Sequence, residues 1–446
     1  MPMGAGANLN TEHFYTLFFA NLNQLLNSES TPFKEIFEVE NGFGLKISRG
    51  EISFVQIWNP FEIKGDFSHE EIIPTFLNTV KALSDHEFNV SVSLSGGLDS
   101  SSMLMSLAHV TDNKDRISAF TWGVDEVASS SEYNHAKKVT DFCGVSLKKV
   151  GDARPWKRIG EKISQRVDRP SFTCIVNQIW DGDDSVVAGK SVVFDGHGGD
   201  QIFCEGIQDR ALCDYFLDKG LSGITDNARK LTRLSRKSIF FFLTKALSGL
   251  YQHYTKSFNP LQYYDFKVSD WFKGSIDKNT YKELLMPRFM RSYNGCPPAK
   301  LAQILSIFVG PFQSKISNKA GGVPILYPYY SQPMVELCLK MPIYNSYDEH
   351  NSRLPFRRAV SEFFKTDLPF RRSKGETSGV LQIGLQQNIK RIQELLLEGY
   401  FARNNLVDLD KMQNLIHKVA HGMVEHMHPF AALLTTELWL ENWNIK

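Results

Sequence analysis

The sequence predicts an α/β protein: a parallel sheet with helices on its faces, a largely helical C-terminal part and a short N-terminal segment that contains β structure. Three observations predict it. From residue 88 strand-like and helix-like segments alternate, the pattern that builds βαβ units. Both glycine-rich turns, at 95–97 and 196–199, directly follow strand-like runs, and in such sheets ligands sit beyond the carboxyl ends of the strands. After residue 205 the apolar spacing becomes mostly helical and aromatic-rich, with no internal repeat.

Taken in order, "GLKISRGEISFVQIW" (44–58) reads as a β-hairpin. Leu45 and Ile47 alternate before a polar Ser48–Glu51 turn, and Ile52 and Phe54 alternate after it. A proline-containing connection then leads to a helix with Ile72, Phe76, Val80 and Leu83 at helical spacing. Residues 1–70 are few for an independent domain, so the expected division is a short segment over 1–70 and the main domain over 71–446. Within that domain "FNVSVSL" is a strand, "LDSSSMLMSLAHV" a helix, "RISAFTWGV" a strand, "SEYNHAKKVTDFCG" a helix and "KSVVFDG" a strand. "ARKLTRLSRK" (228–237) places five basic residues on a helix, which reads as a solvated basic face, with an anionic partner as the alternative. "TTELWLENWNIK" closes the chain as a packed helix burying Leu438 and Trp439.

Bulk properties exclude several classes. The 446 residues carry 50 basic and 49 acidic side chains, a balance that argues against a nucleic-acid partner across the whole surface. Six cysteines form no CxxC pair and suit neither a zinc site nor a disulfide framework, so they read as reduced cytosolic thiols. The N-terminus has no basic export region, and "IFFFL" (239–243) is too short to span a bilayer. The expected location is cytoplasmic, with no membrane partner.

The chemistry centres on "SVSLSGGLDSSSML" (91–104). A strand ends at Leu94, the chain turns through Ser95, Gly96 and Gly97, and a helix begins near Asp99. Glycines let backbone approach a ligand, and the first N–H groups of a helix have no internal partner. With the helix dipole this forms an anion cradle suited to phosphate, to which Ser95, Ser100 and Ser101 add hydroxyls. Asp99 would repel a bare phosphate. It fits if Mg²⁺ lies between them, so the loop is expected to hold a magnesium-bound polyphosphate. It is not a Walker A loop: in the chain's GKS, Gly189–Lys190–Ser191, Asp184 stands where the first glycine is required.

"LSGGLDSS" (94–101) resembles the pyrophosphate loop of the N-type ATP pyrophosphatases, an adenine nucleotide α-hydrolase-like fold. More narrowly, the chain resembles the synthetase domain of the asparagine synthetase B family. The supporting segments run in the family's order: "FTWGV" (120–124), "SEYNHAKKV" (131–139), "DRP" (168–170), "FDGHGGDQIF" (194–203), "LYPYYSQPMVELCLKMP" (326–342) and "RLPFRRAVSEFFKTDLPFRRSKGE" (353–376). The resemblance implies ATP and Mg²⁺: a carboxylate attacks the α-phosphate, pyrophosphate leaves, and an amine then attacks the acyl-adenylate. It implies pyrophosphate cradling by Gly96 and Gly97, Mg²⁺ on Asp99 and Asp200, a nucleotide contact at Gly196, and Lys374 neutralising developing charge.

Departures from the family narrow the acceptor. His197 replaces a glutamate tied to ammonia as nucleophile, and either deprotonates an incoming amine or only shapes the pocket. Beyond Asp200 the family's E-L-F-G-G-Y becomes Gln201, Ile202, Phe203, Cys204, Glu205 and Gly206. Glutamine-hydrolysing members carry a cysteine directly after the initiator, where this chain has Pro2, and its first cysteine is Cys143. Residues 1–70 therefore read as a glutaminase-like remnant without glutaminase chemistry. Members of that kind include β-lactam synthetases and lasso peptide cyclases, and the "GHGGD" loop followed by "IFC" is more similar to the cyclases. A cyclase implies a peptide substrate whose own α-amine attacks, with a leader-binding protein and a peptidase as partners. The alternatives are an amidotransferase on a small or sugar acid with ammonia from another protein, and a nucleotide-binding pseudoenzyme. The histidines at 417, 421, 426 and 428 read as ordinary polar residues near a helix end.

Overall fold

The chain first forms a ribbon, β1 (Phe43–Ser48) antiparallel to β2 (Glu51–Gln56), with Leu45 opposite Phe54 and Ile47 opposite Ile52. Its turn is tighter than the sequence implies. Ser48 pairs with Glu51, leaving Arg49 and Gly50, both at positive φ, to reverse the chain. The apolar alternation does not mark a buried face either: Ile47 is 71% and Ile52 67% exposed. The ribbon's contacts lie near its base, where Arg288 stacks 3.8 Å from the Phe54 ring and Trp58 Nε1 donates to Glu336 at 2.9 Å.

The computed structural model describes residues 8–14, 29–85, 87, 89–122, 132–150, 170, 189–257, 263, 270–274, 279, 286–316, 319–320, 323–371, 384–423 and 427–445. Its main sheet is built from β3 (Val90–Ser93), β4 (Ile117–Trp122), β5 (Ser146–Val150), β6 (Val192–Phe194), β7 (Lys319–Ala320) and β8 (Val323–Leu326). In space the order is β5-β4-β3-β6-β8-β7. The first five of these run parallel, and β7 adds an antiparallel edge. Short valine-rich runs such as Val192–Phe194, buried throughout, suit strands covered on both faces. The chain steps outward from β3 to β4 and β5, then returns to the other side of β3 as β6. The strand order reverses there, so the crevice at the carboxyl ends of β3 and β6 is the topological switch point. Both glycine-rich turns leave the sheet at that crevice.

Helix Leu98–Val110 follows β3, and every residue from Ser100 to Ala108 is buried. A helix buried all round needs partners for its polar groups, and Ser102 Oγ finds one in the Leu98 carbonyl at 2.7 Å. Helix Ile72–Ser84 buries Ile72, Phe76 and Val80, with Leu83 half-buried. Beyond residue 205, helices Ala211–Lys219, Ile224–Ser235 and Ile239–Thr255 share a second core with Ala299, Met341 and Tyr347. The terminal helix Met427–Asn442 buries Leu438 and Trp439 as expected, with Trp439 5.9 Å from the Phe14 ring.

Much of the basic tract at 228–237 is paired with acids, as a solvated basic face would be. Lys230 pairs with Asp226 at 2.8 Å, Lys237 with Asp209 at 2.8 Å, and Arg233 with Glu349. Cys143, Cys204, Cys213, Cys296 and Cys338 are unpaired. Burial pushes the first four thiols up to about 12, which makes them poor nucleophiles. Among the described residues no helix is long and apolar enough to cross a membrane.

Candidate active site

The two glycine-rich turns are pressed together, and glycine is required at the points of contact. At Gly96, φ is +69°, and a Cβ would meet the Ala136 nitrogen at 2.7 Å, so the turn lies against helix Tyr133–Cys143. At Gly196 a Cβ would meet the Ser100 nitrogen at 2.7 Å. The second turn thus lies on the N-terminus of helix Leu98–Val110, and Asp99's carboxylate fills the space beside Gly199. From a third segment, Tyr329 OH donates to the Asp99 carbonyl at 3.0 Å.

A cavity of about 530 Å³ opens over this junction, within the usual size of small-molecule sites. Of the expected residues, Ser95, Gly97, Asp99, Ser100, Gly196, His197 and Asp200 line it. Leu94, Gly96 and Ser101 do not. Leu94 is 1% and Ser101 2% exposed. Leu94 packs into the core with its N–H on the Phe120 carbonyl at 2.9 Å, and helical spacing turns Ser101 inward. Gly96 forms the bend beneath the wall. Lys374 lies outside the described residues, as do 123, 124, 131, 168 and 169 of the family-like segments.

Loop donors are already engaged internally. Ser95 N–H donates to Ser100 Oγ at 3.2 Å and Gly97 N–H to Ser95 Oγ at 3.3 Å. The helix itself starts at Gly97 without a side-chain cap, so its first N–H groups face the cavity end with the positive end of the dipole. In the second turn, His197 N–H donates to Asp195 Oδ1 at 2.8 Å, and the imidazole lies edge-on to Tyr330 and Tyr327 at 5.8 and 6.3 Å.

Sequence reasoning missed the residue at the centre. Arg353 Nη1 lies 2.7 Å from Asp99 Oδ2 and 2.6 Å from Asp200 Oδ1, while Nε is 3.0 Å from Glu205 Oε2. These three carboxylates hold the guanidinium firmly protonated despite its burial. Arg357 and Arg371 line the same cavity, and Arg371 Nη1 donates to the Ser95 carbonyl at 3.2 Å. No local pattern signals Arg353: the contact spans 254 residues. An arginine before Leu-Pro looks like any helix start.

Two carboxylates from different loops converge on one point within reach of a single cation. Among the described residues no three His, Cys, Asp or Glu side chains gather as a complete protein cage. Mg²⁺ asks for less: one or two carboxylates, with phosphate and water oxygens completing its shell. Asp99 and Asp200 therefore fit it. The histidine cluster does not offer an alternative: His421 Nδ1–H donates to the His417 carbonyl at 2.8 Å, the two rings stack at 4.1 Å, and His426 lies outside the described residues.

With this geometry in place, comparison with known proteins is informative. The chain is 20% identical over 352 residues to the microcin J25-processing protein McjC of Escherichia coli, a match covering 75% of this chain and 58% of that protein. It thus spans under two thirds of that relative's length. The sequence profile described as asparagine synthase matches residues 71–441, a range that contains β3, β6, both glycine-rich turns, Asp99, Asp200 and Arg353. The chain belongs to the asparagine synthase family.

Proposed function

We propose that this chain is an ATP-dependent amide synthetase working through an acyl-adenylate, and that its acceptor is the amine of a peptide whose own carboxylate it activates. One observation carries the reading: two glycine-rich turns and their aspartates meet at the switch point of a parallel sheet, at the mouth of one charged cavity. A substrate carboxylate oxygen attacks the α-phosphorus of ATP, and the bond to pyrophosphate breaks. The amine nitrogen then attacks the acyl carbon, AMP departs and the amine loses its proton.

Each step draws on residues of this chain. The first turn of helix Leu98–Val110 presents N–H groups to the departing pyrophosphate, Gly97 N–H exchanges its long bond to Ser95 Oγ for a phosphate oxygen, and Gly96 shapes the bend. Asp99 and Asp200 hold Mg²⁺, which when bound neutralises phosphate charge. Arg357, Arg371 and Lys374 supply further positive charge where the leaving groups develop negative charge. His197, walled by Tyr327 and Tyr330, faces the acceptor.

Macrolactam closure of a ribosomal peptide is favoured by two things. His197 stands where ammonia-using relatives carry glutamate, and the chain is similar to a protein that processes microcin J25. Residues 1–70 serve as a remnant segment ahead of the synthetase domain, a leader-binding protein and a peptidase act upstream, and the setting is cytoplasmic.

The test supplies purified protein with ATP, Mg²⁺ and a candidate precursor peptide, against aspartate plus ammonia. AMP and pyrophosphate formed only with peptide, and a peptide lighter by one water, are expected. Turnover with the small acid and ammonia would remove the cyclase reading and leave adenylation standing. ADP as product would overturn adenylation itself.

A further inference from the structure

Arg353 occupies a place that the bound metal needs. Its Nη1 lies 2.7 Å from Asp99 Oδ2 and 2.6 Å from Asp200 Oδ1, and Mg²⁺ binds oxygens at about 2.0–2.1 Å. A cation held by both oxygens would overlap that nitrogen and repel its charge. The guanidinium and the metal cannot share the pair. The residue is also set up unusually. It is 7% exposed, and its backbone takes φ +53° at the start of helix Leu354–Phe364, a conformation that side chains with a Cβ rarely adopt. Strain of this kind persists where the surroundings over-determine it, and it clusters at sites that switch.

We infer that Arg353 is a displaceable cation: in the nucleotide-free enzyme it fills the position between Asp99 and Asp200 that Mg²⁺ takes when nucleotide binds. This rests on the nucleotide reading above. Two half-buried carboxylates facing one point would repel each other, and the guanidinium relieves that repulsion while no metal lies between them. Glu205 is the partner that stays behind. Its Oε2 accepts the Ser352 hydroxyl at 2.5 Å and lies 3.0 Å from Arg353 Nε as an ion pair, so Nη1 swings away while the Glu205 carboxylate keeps the guanidinium's charge paired. Metal alone has to evict a bound cation for little return. Metal with nucleotide brings phosphate oxygens for itself and a new anion for the guanidinium. Mg²⁺ and ATP therefore bind as a unit, and by linkage each raises the affinity for the other.

The experiment reads melting temperature without nucleotide, in chelator, in millimolar MgCl₂, and in NaCl of matched ionic strength. Wild type is expected to be indifferent to all three. R353Q, with its aspartates uncompensated, is expected to melt below wild type in chelator and to recover by about 1–2 °C in MgCl₂ but not in NaCl. R353K, which keeps one charge but loses the planar fork, is expected to show a smaller gain and serves if R353Q does not fold. A folded R353Q, or failing that R353K, that ignores MgCl₂ overturns the proposal, as does a wild type that gains as much as the variant. Calorimetric titration of wild type with MgATP separates the two layers: no binding there sinks the nucleotide reading, whereas binding with a metal-blind R353Q sinks only the displacement.

Discussion

Gly196 shows how much rests on a missing methyl group. A Cβ at that position would meet the Ser100 nitrogen at 2.7 Å and the Asp99 carbonyl carbon at 3.0 Å, both backbone atoms of a buried helix that cannot give way. G196A should therefore part the two turns and spread Asp99 from Asp200. The expected result is at least a tenfold loss of MgATP affinity, about 1.4 kcal/mol, read by calorimetry, with secondary structure unchanged by circular dichroism. His197 belongs to the same scale and separates the two half-reactions. It lines the cavity with its imidazole edge-on to Tyr327 and Tyr330. H197Q should leave pyrophosphate exchange into ATP within about twofold of wild type while cutting amide formation by roughly 10²-fold, the contribution typical of a positioned acid or base. Equal loss in both assays would place His197 on the nucleotide instead.

At the scale of elements, one buried carboxyl group ties the terminal helix to its neighbour. Glu437, on helix Met427–Asn442, accepts N–H bonds from Tyr400 and Phe401, both at 2.8 Å, and so caps the short helix Tyr400–Arg403. Burial pushes this carboxyl up to about 7, against the opposing pull of those two N–H groups. A folded pKa above the unfolded one means that the contribution is complete below about pH 4.5 and is lost as pH rises through about 7. E437Q retains one acceptor and does not titrate. It should melt below wild type near pH 5, and the gap should close toward pH 8; a gap that widens with pH would reverse the assignment. The elements themselves differ in how far sequence revealed them. Helix Leu98–Val110 and the strands on either side of it were legible because glycine, serine and valine runs leave few alternatives there. The exposure of the β1–β2 ribbon was not, since apolar alternation signals a strand but says nothing of whether a second layer covers it. Arg353 was illegible for a related reason: its meaning lies in three carboxylates on two distant loops, and no window of sequence contains them.

For the whole molecule, the site is a meeting of three segments that the sheet topology alone brings together: the turn after β3, the turn after β6, and the stretch around Arg353 beyond the last strand. Their contacts are polar and loop-borne, whereas the cores beneath them are apolar and continuous. Such a junction should open locally at lower cost than the sheet does. A ligand that bridges the three is then worth more to stability than its contacts with any one of them, because it closes all three at once. Hydrogen exchange offers the test. Saturating MgATP is expected to slow exchange together in 95–101, 195–205 and 350–357, and to leave the β1–β2 ribbon unchanged. Protection confined to 95–101 would mean that the nucleotide sits on the first turn alone. The pairing of Asp99 with Asp200 would then be a feature of the empty fold and not of the working site.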